Sequence, residues 1–190
     1  MAGISTVHQA TINPTKIEMA RTWLPKQVWF TGDAERAELL DRFRFEDPAH
    51  EVGVETLLIK VGEDIYQLPV TYRAAPLEGV EEGFIGTMEH SALGTRYVYD
   101  AMFDPVYLAE LERTIREMDT ASSVRRPDGT ITPPTVNVRG SGVSPKAQVE
   151  GELEVVSLIT DELYADAAGH LIATLGEGAD AREVVLAVLR

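Results

Sequence analysis

Between Ile65 and Tyr72 the residues Tyr66, Leu68, Val70 and Tyr72 fall at every second position, the period of a strand with one face buried. Pro69 sits on the opposite parity and has no N–H to donate, so this strand is expected at a sheet edge or with a bulge near its middle. Just upstream, Glu55 to Val61 is richly apolar, and Gly62-Glu63-Asp64 joins the two runs into the clearest hairpin of the chain. Phe43 and Phe45 alternate with Arg42 and Arg44, predicting another strand before Asp47-Pro48. On the other side, Ala75 to Gly79 supplies a turn, and Phe84 to Glu89 can return from it as the partner of a hairpin-like unit. Ile4 to Thr11 alternates weakly, and Val136 and Val138 suggest a short strand before Gly140-Ser141-Gly142. Three further strands are expected around Leu153 to Ile159, His170 to Leu175 and Val184 to Leu189.

Two segments carry the period of a helix instead. Asn13-Pro14 and Asp104-Pro105 each pair a residue able to cap a helix with a proline tolerated at its first position. The first helix is expected along Ile17, Ala20 and Leu24 until Pro25 stops it, and the second along Leu108, Leu111, Ile115 and Met118. Val28-Trp29-Phe30 is a β-prone triplet before a sharp turn at Thr31-Gly32-Asp33, and Thr120 to Pro134 reads as a surface loop or crossover. The order predicts an α+β fold: a mainly antiparallel, curved β-sheet with about two helices packed on one side, forming a single domain over residues 1–190 with a β-rich tail at 135–190.

Length and composition narrow the function more than the fold. A chain of 190 residues suffices for one well-packed domain. The absence of cysteine excludes disulfides, thiolate metal sites and a cysteine nucleophile, and fits a reducing compartment. A net charge of −14, with no basic run longer than Arg125-Arg126, opposes nucleic-acid binding. No stretch approaches a membrane span and the N-terminus lacks a signal-peptide pattern, so a cytoplasmic location is expected.

Candidate chemistry is sparse. Glu89-His90-Ser91 gathers an acid, an imidazole and a hydroxyl, yet successive strand residues point to opposite faces, and a turn role for His90 is the simpler reading. The 4 histidines are scattered, with no spacing that makes a metal site. Glu81-Glu82, between glycines, could serve acid–base work on a sugar but reads more simply as solvated charge. Gly140-Ser141-Gly142 lacks the ending of a nucleotide-binding loop. Trp23, Trp29, Phe30, Tyr97 and Tyr99 are rings on which sugars stack, with core packing as the default alternative.

Thr15-Lys16-Ile17-Glu18, then Trp23 through Phe30, Tyr66 through Arg73, Gly94 through Ala101 and Asp104-Pro105 together resemble the N-terminal cap domain of bacterial maltokinases, over about residues 14–118. The resemblance is closer still to stand-alone cap-like proteins related to that domain. In a maltokinase the nucleotide, the metal and the catalytic aspartate belong to a kinase body that follows the cap. None of its motifs occurs in this sequence, and no catalytic residue or cofactor carries over. The resemblance implies a non-catalytic accessory or binding module linked to α-glucan or trehalose metabolism. Its partner would be a kinase-like protein, an α-glucan or a second copy in a homodimer, and its surface would include Trp29, Phe30, Arg96, Tyr97, Tyr99, Glu89 and His90. Two alternatives stay open: a carrier of an apolar or sugar ligand, marked by a closed pocket lined by Trp29, Tyr97 and Tyr99, and a small enzyme acting on a sugar or sugar phosphate through Glu81, Glu82, Glu89 or His90.

Overall fold

The computed structural model describes residues 3–144, 149 and 151–190; the remaining positions of the expected β-rich tail, 145–148 and 150, lie outside the described residues. Strands β1 (Ile4–Thr6) and β2 (Ile12–Asn13) precede helix α1 (Lys16–Trp23). Strands β3 (Glu38–Glu46), β4 (Gly53–Val61), β5 (Asp64–Arg73), β6 (Phe84–His90) and β7 (Gly94–Asp100) follow, then helix α2 (Pro105–Arg116). The remainder is β8 (Ser123–Arg125), β9 (Ile131–Thr132), β10 (Asn137–Gly140), β11 (Leu153–Val155), β12 (Gly169–Leu175) and β13 (Arg182–Leu189).

The centre of this single α+β domain is a curved antiparallel sheet in the order β2-β6-β7-β5-β4-β3. A second antiparallel sheet, β10-β12-β13-β11, is built by the tail, and a small third one joins β1 in parallel to β8, with β9 beside it. The fold class is as the sequence predicts, but the helices do not share one side. Along β4 the odd residues Leu57, Ile59 and Val61 pack with Met19, Ala20, Trp23 and Leu24 around α1. The even residues Val54 and Leu58 pack instead with Tyr107, Leu111 and Ile115 of α2 and with Leu171 and Leu186 of the second sheet. Alternation with a period of two thus sends each strand into two separate cores.

The strand carrying Pro69 is central and buried on both faces, not a half-buried edge. The local constraint on proline still holds. Gln67 N donates to Ser157 O and Ile65 O accepts from Ile159 N, so this parity of β5 faces away from β4 toward a segment of the tail. From Val70 onward the same edge pairs with β7. Pro69 lies where one neighbour gives way to the other, and its missing N–H interrupts neither ladder. The expected hairpin of β5 with β6 is corrected too, since β7 lies between them.

Helix α1 is capped by Thr15, not Asn13: the Thr15 side chain accepts from Glu18 N while Glu18 Oε2 accepts from Thr15 N at 2.7 Å, a reciprocal capping box. Asp104 caps α2 as expected, its Oδ1 accepting from Val106 N at 3.0 Å. The buried stripe of α2 is rotated from the predicted one, consisting of Tyr107, Glu110, Leu111, Thr114 and Ile115, while Met118 lies beyond the helix and is exposed. Gly140 passes so close to α2 that a Cβ there would sit 2.0 Å from Thr114 O, which explains a glycine at the end of β10. The stretch from Thr120 is more than a surface loop: Ala121 and Ser122 are buried, and Ser122 Oγ donates to Arg44 O at 3.1 Å. Val28-Trp29-Phe30 forms a turn with no strand. Among the described residues no helix is long and apolar enough to cross a membrane.

Candidate functional site

The α1 face of the central sheet is only partly covered. Helix α1 lies over Leu57, Leu68 and Val70, and beyond its N-terminus the sheet is left as the floor of a cleft of about 770 Å³. The N-terminal segment from Ser5 to Ile17 forms one wall, and the start of α1 brings Lys16 over the floor. The end of β3 with the 46–52 loop forms a second wall, and the β6–β7 hairpin, with Met88, His90, Leu93 and Arg96, forms the third.

Beneath this cleft lies Glu55, fully buried. Its place follows from register: Arg44 stands directly opposite it across the β3–β4 pair, and Arg42 is the next residue of the same face. Arg44 donates from Nε and Nη2 to Oε1 at 3.1 and 2.9 Å, and Arg42 Nε is 3.5 Å from the same oxygen. Lys16 Nζ lies 2.5 Å from Oε2, which also accepts from the Tyr72 hydroxyl at 2.8 Å. Burial alone would raise the Glu55 carboxyl, but Arg44 and Lys16 hold it down at about 2. Burial lowers Lys16 to about 8, and repulsion from Arg44 and Arg42 adds to this against the pull of Glu55. The Tyr72 hydroxyl is pushed well up by burial and by Glu55, so it acts as a donor.

The cleft margin holds His8 and His90, whose rings meet edge-on with centroids 6.0 Å apart. His90 Nδ1 accepts the amide N–H groups of Ala92 and Leu93 at 3.2 Å each, which secures the β6–β7 turn. Burial, with His8 and Arg96 nearby, lowers its pKa, so the ring is neutral at pH 7 with its proton on Nε2. Arg96 Nη2 donates to Leu93 O, and its buried Nε has no acceptor. On the far wall Glu46 accepts from Ile4 N and pairs with His50, while Asp47 accepts the amides of Ala49, Glu51 and Val52. Those two carboxylates are committed to holding their own loop.

Of the residues singled out from sequence, the structure brings only His90 and Arg96 into this cleft. Trp29 and Phe30 pack on Tyr66 with centroids 6.1 and 5.0 Å away, in the core around α1. Tyr97 and Tyr99 belong to the opposite face, where both lie against Phe84 and the Tyr99 hydroxyl accepts from Leu77 N. Glu89 accepts from the Thr95 hydroxyl, and Glu81 and Glu82 stand exposed in a short 3-10 turn. The residues that sequence reasoning missed are Lys16, Arg42, Arg44, Glu55 and Tyr72. Their one signal was the alternation of arginine with phenylalanine in β3, which puts both guanidinium groups on the face away from the phenylalanine core. Among the described residues no cluster of histidine, aspartate and glutamate could hold a metal ion.

The cleft thus lies open and lined with cations on one face of the sheet of an α+β domain. Residues 23–104 match the family model of the maltokinase N-terminal cap domain, to which this part of the chain is similar. Lys16 and the cleft wall formed by residues 5–17 precede the matched segment, whereas Arg42, Arg44, Glu55, Tyr72, His90 and Arg96 fall within it. Comparison with curated protein sequences finds no match.

Proposed function

We propose that the chain is a non-catalytic, maltokinase-cap-like binding module whose cleft receives a small polar molecule in the setting of α-glucan or trehalose metabolism. The observation that carries this reading is the cleft itself. Its volume of about 770 Å³ lies within the roughly 300–1,000 Å³ of small-molecule sites. Its polar side chains are held in place by the Glu55 network before any ligand arrives, which lowers the ordering cost of binding. The link to saccharides comes from the family match.

Binding suits this cleft better than catalysis. General acid–base chemistry needs a titratable group free to exchange its proton near the working pH. Here Glu55 is held ionised by its cations, Glu46 and Asp47 are engaged by backbone amides, and Lys16, though lowered to about 8, is tied to Glu55 at 2.5 Å. A closed carrier pocket lined by Trp29, Tyr97 and Tyr99 is not the arrangement found, because these rings lie on opposite faces of the sheet.

Backbone-amide NMR titration with maltose, trehalose, glucose and their phosphate esters tests the reading. The expected result is shifts confined to the cleft, at Ile12, Lys16, Tyr72 and Arg96. Silence at those residues with every compound would remove the cleft as a binding site.

A further inference from the structure

We infer that the cleft is built to hold an anion, a phosphoryl or carboxylate group carried on a small polar molecule, between Arg42, Arg44, Arg96 and Lys16. The inference rests on the cleft being a binding site and adds the chemical class of what it binds.

Charge around Glu55 is unbalanced. Glu55 is a single carboxylate, and Lys16, Arg44 and Arg42 all lie within 3.5 Å of it. That surplus of positive charge occurs on a chain whose net charge is −14, so it is not a by-product of a basic surface. Both oxygens of Glu55 are fully engaged by Arg44, Lys16 and Tyr72. Arg42 therefore makes only the long 3.5 Å contact, and its side chain is 51% exposed. A guanidinium with most of its donors open, beside a second one fixed by a buried acid, presents the fork geometry that binds phosphate or carboxylate.

Arg96 adds an independent observation from another strand. It has no carboxylate partner among the described residues, and its buried Nε–H has no acceptor. A buried donor left unpaired is costly, and because Arg96 lines the cleft a rotation of its side chain would bring the guanidinium onto an oxyanion there. The neutral His90 contributes one more donor at Nε2. Lys16 points the same way: burial lowers it to about 8, a cost the pull of Glu55 offsets only in part and the repulsion of Arg44 and Arg42 adds to, so an anion beside it would favour its charged form.

Glu46, Asp47 and Glu51 line the far wall of the cleft, and the first two are turned toward Ile4 N and the amides of their own loop. The cleft is therefore polarised, cationic beside α1 and acidic at the 46–51 rim. Such a cleft suits a molecule with an anionic end and a hydroxyl-bearing body, because the exposed Glu51 carboxylate at that rim can accept hydrogen bonds from hydroxyl groups.

Isothermal titration of the full chain at low salt, with inorganic phosphate, glucose 6-phosphate and glucose as separate probes, tests the inference. Phosphate and glucose 6-phosphate are expected to bind, and Arg42→Ala or Arg96→Ala to weaken each by about tenfold, the value of one charge-assisted contact. Arg116→Ala, which removes an arginine paired with Glu112 on α2, is expected to leave binding unchanged. Arg42 is exposed, so its variant decides the question even if Arg96→Ala fails to fold. Glucose binding at the cleft with inorganic phosphate silent would overturn the anion and leave the binding-site reading standing. Phosphate affinity unaffected in Arg42→Ala would place the anion elsewhere and overturn the inference. No binding by any of the three probes would overturn it as well, and the saccharide NMR titration would then decide the broader reading alone.

Discussion

Two buried carboxylates, one on each face of the central sheet, show how similar parts serve different ends. On the α2 face Asp104 accepts from the Thr71 hydroxyl at 2.7 Å, from Arg73 through both oxygens at 2.7 Å, and from the amide of Val106. One acid meets one cation, and the remaining bonds are neutral. The face is then closed by α2 and the second sheet, with Gln67 donating to Val156 O at 2.7 Å and to Leu186 O as a polar link between the layers. On the α1 face Glu55 meets three cations, and the region above it is open. A balanced network under a packed layer serves the fold. An unbalanced one under a cleft leaves positive charge available for something else.

The largest effect that can break this comparison is expected on the closed face. Asp104→Ala removes the α2 cap and strands Arg73 and Thr71, so a loss of about 4–5 kcal/mol is expected in chemical denaturation. Glu55→Gln should cost less, about 3 kcal/mol, because its cations reach solvent through the cleft. Sulfate at millimolar concentration should recover part of that second loss and none of the first. Equal recovery of both variants would erase the distinction between the faces.

The pH dependence of stability separates the faces further. The folded carboxyl of Glu55 is depressed, so its contribution is complete above the unfolded value near 4.5 and is lost as pH falls through about 2. Asp104 is shifted the same way, and the acid limb therefore includes both. Between about pH 8 and the onset of tyrosine titration the alkaline limb belongs to the cleft; above it the raised hydroxyls of Tyr72 and Tyr107, whose protons the unfolded chain gives up first, lower stability. Lys16, facing Glu55 on β4, Arg42 and Arg44 on β3 and Tyr72 on β5, is lowered from 10.5 to about 8. Between these values the unfolded chain binds more protons than the folded one, so this group makes stability rise from pH 8 toward 10.5. Lys16→Met should abolish that rise, as read by denaturation midpoints across the interval. The smallest expected effect is that of Arg42→Ala on stability, within about 0.5 kcal/mol because its contact is long and exposed.

Much of the fold was legible because strands announce themselves locally. Period-two alternation and the Gly62-Glu63 turn were sufficient to place the β4–β5 hairpin. The position of β7 between β5 and β6 was not legible, because strand order depends on contacts far apart in sequence. Pro69 shows the same limit: a residue that cannot donate demands an interrupted ladder, but only the tertiary structure tells an edge from a change of neighbour. At the site, Arg42 and Arg44 were visible as half of a strand pattern, while Glu55 was hidden as the one acid beside an apolar run. Their meeting requires the β3–β4 register, and Lys16 joins them only because α1 lies across the sheet. Aromatic rings drew attention toward Trp29 and Tyr97, but bulk and flatness alone do not separate a binding face from a core.

The central claim is that the Glu55 cluster keeps surplus positive charge for an anion, and proton linkage measures it most directly. Sulfate, which does not titrate near neutrality, is the suitable probe, in calorimetry at pH 8 with buffers of different ionisation enthalpy. Binding should be accompanied by uptake of a fraction of a proton, as the anion raises Lys16 from its value of about 8. Sulfate that binds with no proton uptake, or that does not bind at all, would contradict the account.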